Sequence, residues 1–300
     1  MAGWSRQFVE HSEDLTLATT VTLPVIRGPA VTAKAAAAVD ILSGGRLVLG
    51  VGPGSSPGDY AAAGIPFEQR WPRFDEAVRI LRTSLSDTPR SHTGTFYDVP
   101  ALEPGPARSV PIWIGSWGSP AGLRRAVDLG DGWLASAYNT SPERITVGRE
   151  HIRHNLRAVG RDDTGFPTVI ATMWTYVTDS VAEADIHLTR VARMLGRDPA
   201  VLAEQLLIGA PEVCAARLAR YVEAGVAGFS SGRWPNPSIS CATSPRRWRR
   251  SCTSVPHQHP GDSPTSRTRC SPSASLIPCV YCGFARIPDV NRAREGGACR

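Results

Sequence analysis

Residues Asp40 to Gly52 read DILSGGRLVLGVG. The Ala-rich segment Pro29 to Ile41 opens with Pro at a first-turn position and stops at Ser43-Gly44-Gly45, which predicts a helix and its end. Arg46 to Gly52 (RLVLGVG) is then a short apolar run entering a loop of Gly, Pro and Ser, the pattern of a buried strand. Helix, glycine stop and buried strand in that order make one step of a repeating α/β fold.

The same alternation extends in both directions. Upstream, Leu15 to Leu23 (LTLATTVTL) reads as a strand. Downstream, helices are expected at Phe67 to Leu85, Pro120 to Leu129, Pro142 to Val159, Val181 to Leu195 and Pro211 to Ala224. Strands are expected at Val110 to Gly115, Trp133 to Ala135, Thr168 to Val177 and Val226 to Phe229. Residues 86–110 form a longer excursion. Six parallel strands of this kind predict an incomplete (β/α)8 TIM barrel, because closure takes eight. On this reading two βα units belong before the first strand, and Trp4, Phe8 and Val9 fit the stripe of the helix leading into it.

Composition limits the function classes. Of 300 residues, 42% are hydrophobic and 20% charged, as in an ordinary globular chain. No apolar run approaches the roughly 20 residues of a membrane span, and Met1 to Asp14 lacks a secretory pattern, so no membrane association and a cytoplasmic location are expected. The net charge of +6 is unevenly spread: residues 231–300 hold 11 Arg and 3 acidic residues, leaving the first 230 residues at 22 basic and 24 acidic. Cys214 is alone in the body, whereas six cysteines follow it. The expected organisation is therefore 1–230 as the barrel domain and 231–300 as a Ser/Pro/Arg/Cys tail that is disordered or out of frame. Such a tail cannot bury enough apolar surface to offset its ordering entropy. Its stretch Ile239 to Arg250 (ISCATSPRRWRR) can be back-translated so that a shifted frame reads QLRDFAEEVAA, an amphipathic helix. Arg246 to Arg250 around Trp248 offers a basic arm for nucleic acid, and Cys279-Val-Tyr-Cys282 a lone CxxC. The frame reading is preferred to both, and no nucleic-acid partner is expected.

Two Gly-rich strand-to-helix turns carry the readable chemistry: Gly50 to Ser56 (GVGPGSS) and Gly115 to Pro120 (GSWGSP). In the second, Ser119 is placed to cap a helix whose first residue is Pro120, so free amides and the positive dipole end face outward. That suits an anion, and small residues let a phosphate come close. Each turn by itself also reads as an ordinary tight βα connection. Neither matches a P-loop or a clean dinucleotide fingerprint. His151 and His154 share a helix face without a third ligand, so a solvated face is favoured and no metal is expected. Trp113 and Trp133 read as barrel filling, Trp117 as a contact residue, Asp131 as a turn cap, and Arg27 as either a contact for an anionic substrate or cofactor tail or an exposed loop arginine.

The order of Thr16–Lys34, Asp40–Gly52, Gly64–Arg70 (GIPFEQR), Gly94–Tyr97 (GTFY), Pro111–Gly118 (PIWIGSWG) and Leu129–Trp133 (LGDGW) resembles the luciferase-like monooxygenase family, particularly its branch using the deazaflavin coenzyme F420. The resemblance covers Leu15 to Phe229. It implies a flavin or deazaflavin oxidoreductase that moves hydride to or from coenzyme F420, the preferred cofactor, or uses FMN and O2. It also implies a small-molecule substrate and allows a homodimer. The matching first strand ends in a bulge with a non-prolyl cis peptide that backs the ring, where Thr19 and Thr20 fall. Pro53, Gly54 and Ser55 match the loop that holds the phosphate or ribityl chain. Gly115, Ser116, Trp117, Gly118 and Ser119 match the main phosphate contacts. At Ser55 the chain departs from members that carry Glu there. The family's acid–base residues come from its first two strands, so no catalytic residue is nominated, and an inactive fragment is the alternative reading.

Overall fold

The computed structural model describes residues 16–103 and 105–232. The expectations for Trp4, Phe8 and Val9, and for the tail beyond Gly232, lie outside the described residues.

The chain runs β1 (Leu17–Ala18), α1 (Pro24–Arg27), α2 (Pro29–Leu42), β2 (Leu47–Val51), α3 (Pro57–Ala62), a 3-10 turn at Phe67–Gln69, and α4 (Arg70–Ser84). There follow β3 (His92–Thr93), β4 (Asp98–Val99), β5 (Ile112–Ser116), α5 (Pro120–Leu129), β6 (Gly132–Ser136), a 3-10 turn at Ala137–Asn139, and α6 (Pro142–Ala158). The last elements are β7 (Thr168–Val177), α7 (Val181–Leu195), α8 (Pro199–Gln205), β8 (Leu207–Gly209), α9 (Pro211–Glu223) and β9 (Gly228–Gly232). Strands β1-β2-β5-β6-β7-β8 lie in that order, with β9 also on β7 and every pairing parallel. The sheet curls into a half-barrel. Strands β3 and β4 form a separate antiparallel hairpin.

Alternation along the strands divides the apolar side chains between two faces. Leu47, Leu49, Ile112, Ile114, Trp133 and Ile170 join the large core beneath the helices. Val48, Trp113, Leu134, Val169 and Ala171 form a second, smaller cluster. Trp113 and Trp133 are both buried but on opposite faces of the sheet: Trp113 lies in the smaller cluster, whereas Trp133, expected to fill the barrel, packs beneath the helices.

Three buried or half-buried carboxylates fix the connections, and each lies in or answers a segment that carried the sequence resemblance. Asp40, fully buried, accepts from the amides of Leu47 (3.4 Å) and Arg108 (3.3 Å), holding the helix-to-strand turn of DILSGGRL. Gly44 and Gly45 take positive φ there, 66° and 80°. Glu76 on α4 accepts from the amides of Thr95, Phe96 and Tyr97, gathering the GTFY turn around itself. A Cβ at Gly94 would stand 2.2 Å from the Glu76 Oε1, so that turn needs glycine. Asp131 accepts the Ile112 amide at 3.0 Å and the Arg82 guanidinium at 3.0 and 3.2 Å. It caps the edge of β5 and ties it to α4.

Several elements differ from expectation. The strand expected over Leu15 to Leu23 narrows to two residues, because the backbone bulges after Ala18 and turns helical at Pro24. Strand β8 makes a seventh member of the sheet, and α3, α8 and the β3–β4 hairpin are further additions. The apolar run of β8 is too short, and too close to α8, to show a period of its own. Strand β9 reaches Gly232, past the boundary expected at 230. Among the described residues, no helix is long and apolar enough to cross a membrane.

Candidate functional site

Strands β1, β2 and β5 are adjacent and parallel, so their C-terminal ends open on one end of the sheet, the end that carries active sites in βα folds. The geometry there starts with a bulge. Ala18 pairs with Val48 and Thr22 bridges Val51, so β1 takes four steps where β2 takes three. The Thr19 hydroxyl donates to the Gly50 carbonyl at 2.7 Å, the Thr22 amide donates to the same oxygen at 2.9 Å, and the Gly52 amide returns to the Thr22 carbonyl at 3.0 Å. The bulge contains a cis peptide at Thr20–Val21. Sequence placed that bond at the paired threonines; it lies one residue later.

Val21 joins the three turns. Its Cγ2 lies 2.9 Å from where a Cβ on Gly52 would stand, and its Cγ1 lies 3.2 Å from that position on Gly115. The isopropyl group therefore rests across both glycines, and 38% of Val21 is exposed above them. Beneath, a Cβ on Gly50 would meet the Thr19 carbonyl oxygen at 1.9 Å. Close approach by backbone carbonyls and by the Val21 side chain, not a need for unusual dihedral angles, accounts for the three glycines at these crossings.

The β2 turn is held from below. The hydroxyl of fully buried Tyr60 donates to the Pro53 carbonyl, and burial raises its pKa. Gly54 has φ of 80°, and a Cβ there would stand 3.2 Å from Leu23. Pro53 and Gly54 are half-buried and Ser55 is exposed.

The β5 turn is built more tightly. The Trp133 indole N–H donates to the Ser116 carbonyl at 2.9 Å, and the Gly118 amide donates to the Ser116 hydroxyl at 3.2 Å. Ser119 caps α5: its hydroxyl accepts the Gly122 amide at 3.2 Å and its carbonyl the Leu123 amide at 2.9 Å. The amides of Ser119 and Ala121 have no acceptor among the described residues. Gly118 takes φ of 90°, and Trp117 is 61% exposed.

The structure thus brings Thr19, Thr20, Pro53, Gly54, Ser55, Gly115, Ser116, Trp117, Gly118 and Ser119 to one end of three neighbouring strands. None of the ten has an ionisable side chain, so the cluster can bind and orient but cannot exchange protons at neutral pH. Sequence reasoning missed Val21 and Gly122. Without a side chain, Gly122 leaves room for the Ser116 and Ser119 hydroxyls, which would stand 2.3 and 3.0 Å from its Cβ. A glycine in the first turn of a helix, where propensity disfavours it, was the available signal for Gly122. His151 and His154 are both exposed on α6, and no group of three metal-ligating side chains occurs among the described residues.

A family model described as luciferase-like monooxygenase matches residues 8–195, more than half of the chain. The chain is 30% identical over 215 residues to 5,10-methylenetetrahydromethanopterin reductase of Archaeoglobus fulgidus, covering 71% of this chain and 62% of that protein. It is 35% identical over 149 residues to the F420-dependent glucose-6-phosphate dehydrogenase of Intrasporangium calvum, covering 45% and 42% of the two chains. It spans less than two thirds of the length of either relative. Among solved structures, an F420-dependent secondary alcohol dehydrogenase bound to an F420–acetone adduct matches with a TM-score of 0.67 at 19% identity, over 77% of each chain. That likeness shows the fold; the family match over most of the described barrel shows the kinship, and the chain belongs to the luciferase-like monooxygenase family.

Proposed function

We propose that this chain is a coenzyme F420-dependent oxidoreductase acting on a small organic substrate. The observation that carries the reading is Val21 lying across Gly52 and Gly115, two glycines that add no side chain of their own where three strand ends meet. A planar ring fits against such a surface, and a phosphate fits the Ser119 and Ala121 amides at the start of α5. When bound, the deazaflavin takes up or gives hydride at its C5 carbon. The chain's own residues have other tasks. Val21 and the bulge back the ring, Pro53, Gly54 and Ser55 border its side chain, and Ser116 to Ser119 anchor the anion.

A sequence match to an F420-dependent dehydrogenase supports F420 over FMN. The test is a fluorescence titration of the full chain with F420 and, separately, with FMN. Saturable F420 binding at least tenfold tighter than FMN is expected. Tighter FMN binding transfers the assignment to the oxygen-using branch. Binding of neither sinks the proposal and leaves the inactive-fragment reading.

A further inference from the structure

Next to the β5 turn, the segment after β6 carries a second polar cluster that the reading above does not use. Ser116 pairs with Ala135, so Ser136 stands one step beyond it at the same end of the sheet. The 3-10 turn that follows ends at Asn139, which is buried. Its side-chain amide donates to the Ser136 hydroxyl at 3.1 Å. Two arginines from separate elements converge on it. The Arg197 guanidinium, from the α7–α8 connection, donates to the Asn139 Oδ1. The Arg144 guanidinium, from the first turn of α6, donates to the Asn139 carbonyl at 3.3 Å.

Both acceptors are neutral. Neither arginine has a carboxylate partner among the described residues. The adjacent acids are engaged elsewhere: Glu143 pairs with Arg220 at 2.7 Å, and Asp198 accepts the Ala200 amide to cap α8. Two exposed guanidiniums are thus held close together on one buried residue with their charge uncompensated. Each donates through one nitrogen, and the remaining N–H groups of a guanidinium suit the paired oxygens of a phosphate or carboxylate.

We infer that Arg144 and Arg197, seated on Asn139, form a subsite for the phosphate or carboxylate of the small-molecule substrate. This subsite is distinct from the anion position at Ser119. The inference rests on the oxidoreductase reading for the word substrate, but the subsite is defined by its own residues. It selects acidic substrates over their neutral counterparts, and it acts by binding and orientation.

The experiment is calorimetric titration of the full chain with glycerol 3-phosphate, with glycerol as the neutral control. It is repeated on Arg144→Gln, Arg197→Gln and Arg197→Lys, with F420 affinity measured on the same samples. The phosphate ester is expected to bind and glycerol not. Each Gln variant should weaken the ester at least tenfold, while Arg197→Lys, which keeps the charge but loses the fork, should recover part of that loss. F420 affinity should stay within twofold. If Arg197→Gln fails to fold, Arg144→Gln carries the test, since its contact is to a backbone carbonyl. Ester affinity unchanged in both Gln variants overturns the inference. So does F420 affinity falling in parallel, because the cofactor's own anion would then occupy the site. Arginine-dependent ester binding in a chain that takes up neither F420 nor FMN upholds the subsite and refutes only the cofactor reading.

Discussion

The Glu76 carboxylate and the Tyr97 amide, far apart in the chain, meet at 2.9 Å, and the Phe96 amide joins them at 3.1 Å. Burial by itself pushes this carboxyl's pKa up. The two amides, with His92 at 3.4 Å, outweigh it and hold the value below that of an ordinary glutamate. Glu76→Gln replaces an acceptor with a donor facing amides, and should cost about 2 kcal/mol at neutral pH. Because the folded pKa is the lower one, the stabilisation is complete above the unfolded value of about 4.3 and fades as pH falls through the folded value. Denaturant midpoints of the two proteins, measured from pH 7 downward, should therefore converge in acid. A gap that stays constant with pH would contradict the ionised-carboxylate account.

Gly50→Ala should destabilise far more than a glycine-to-alanine change in an ordinary strand. Its new methyl would stand 1.9 Å from the Thr19 carbonyl oxygen and 2.5 Å from Leu134. Backbone cannot yield as a side-chain tip can, so a loss of about 3 kcal/mol or more is expected. An unfolding free energy within about 1 kcal/mol of wild type would show that β1 does not sit on β2 as described.

Gly115→Val puts a branched side chain against Val21 Cγ1 and the Val51 carbonyl, at 3.2 and 3.3 Å from its Cβ. The added side chain displaces Val21 while the hydrogen bonds of the strand stay in place. Stability should fall by about 1–2 kcal/mol, and F420 binding should drop more than tenfold. Retained cofactor affinity in the folded variant would place the ring elsewhere.

Asp131 serves two partners and Arg82 mainly one, so their removal should not be symmetric. Asp131→Ala leaves the Ile112 amide without its 3.0 Å acceptor and should cost about 1–3 kcal/mol. Arg82→Ala loses a half-exposed ion pair and should cost no more than about 1 kcal/mol. A double-mutant cycle that assigns most of the Asp131 effect to Arg82 would reverse this division.

Cys214 is buried, and burial pushes its thiol up to about 11. Its sulfur lies 3.6 Å from the Gly209 carbonyl. At pH 8 the native thiol should alkylate roughly 100-fold more slowly than an exposed cysteine. Peptide mapping after brief iodoacetamide treatment, with and without denaturant, reads this directly. Rapid native labelling of Cys214 would show that α9 does not pack where it is drawn.

Much of this molecule was legible in its sequence, and the limits have physical causes. The helices over 120–129, 142–158, 181–195 and 211–223 carry their apolar stripe over three or more turns or are punctuated by Ser and Pro at the start, so period and caps agreed. The ten residues expected at the site lie at the ends of adjacent strands, because βα order alone puts successive strand ends side by side. Val21 was missed because nothing local distinguishes a valine that bridges two glycines from one that fills a strand. Arg144, Arg197 and Asn139 were missed because their meeting joins α6, the α7–α8 connection and the end of β6, a coincidence of tertiary structure alone. GTFY, LSGGRL and LGDGW were read as family markers. Their structural reason is a set of carboxylates clasping amides, which no periodicity reveals.

Strand β7 is unlike its neighbours in having three of them: β6 along its first half, β8 at its far end, and β9 on its other edge. Through it alone, β8 and β9 are hydrogen-bonded to the rest of the sheet. It is the keel of the molecule. Under slow isotope exchange its central amides should be the last to surrender their protons, and loosening of β7 along its whole length would set two strands adrift at once rather than one.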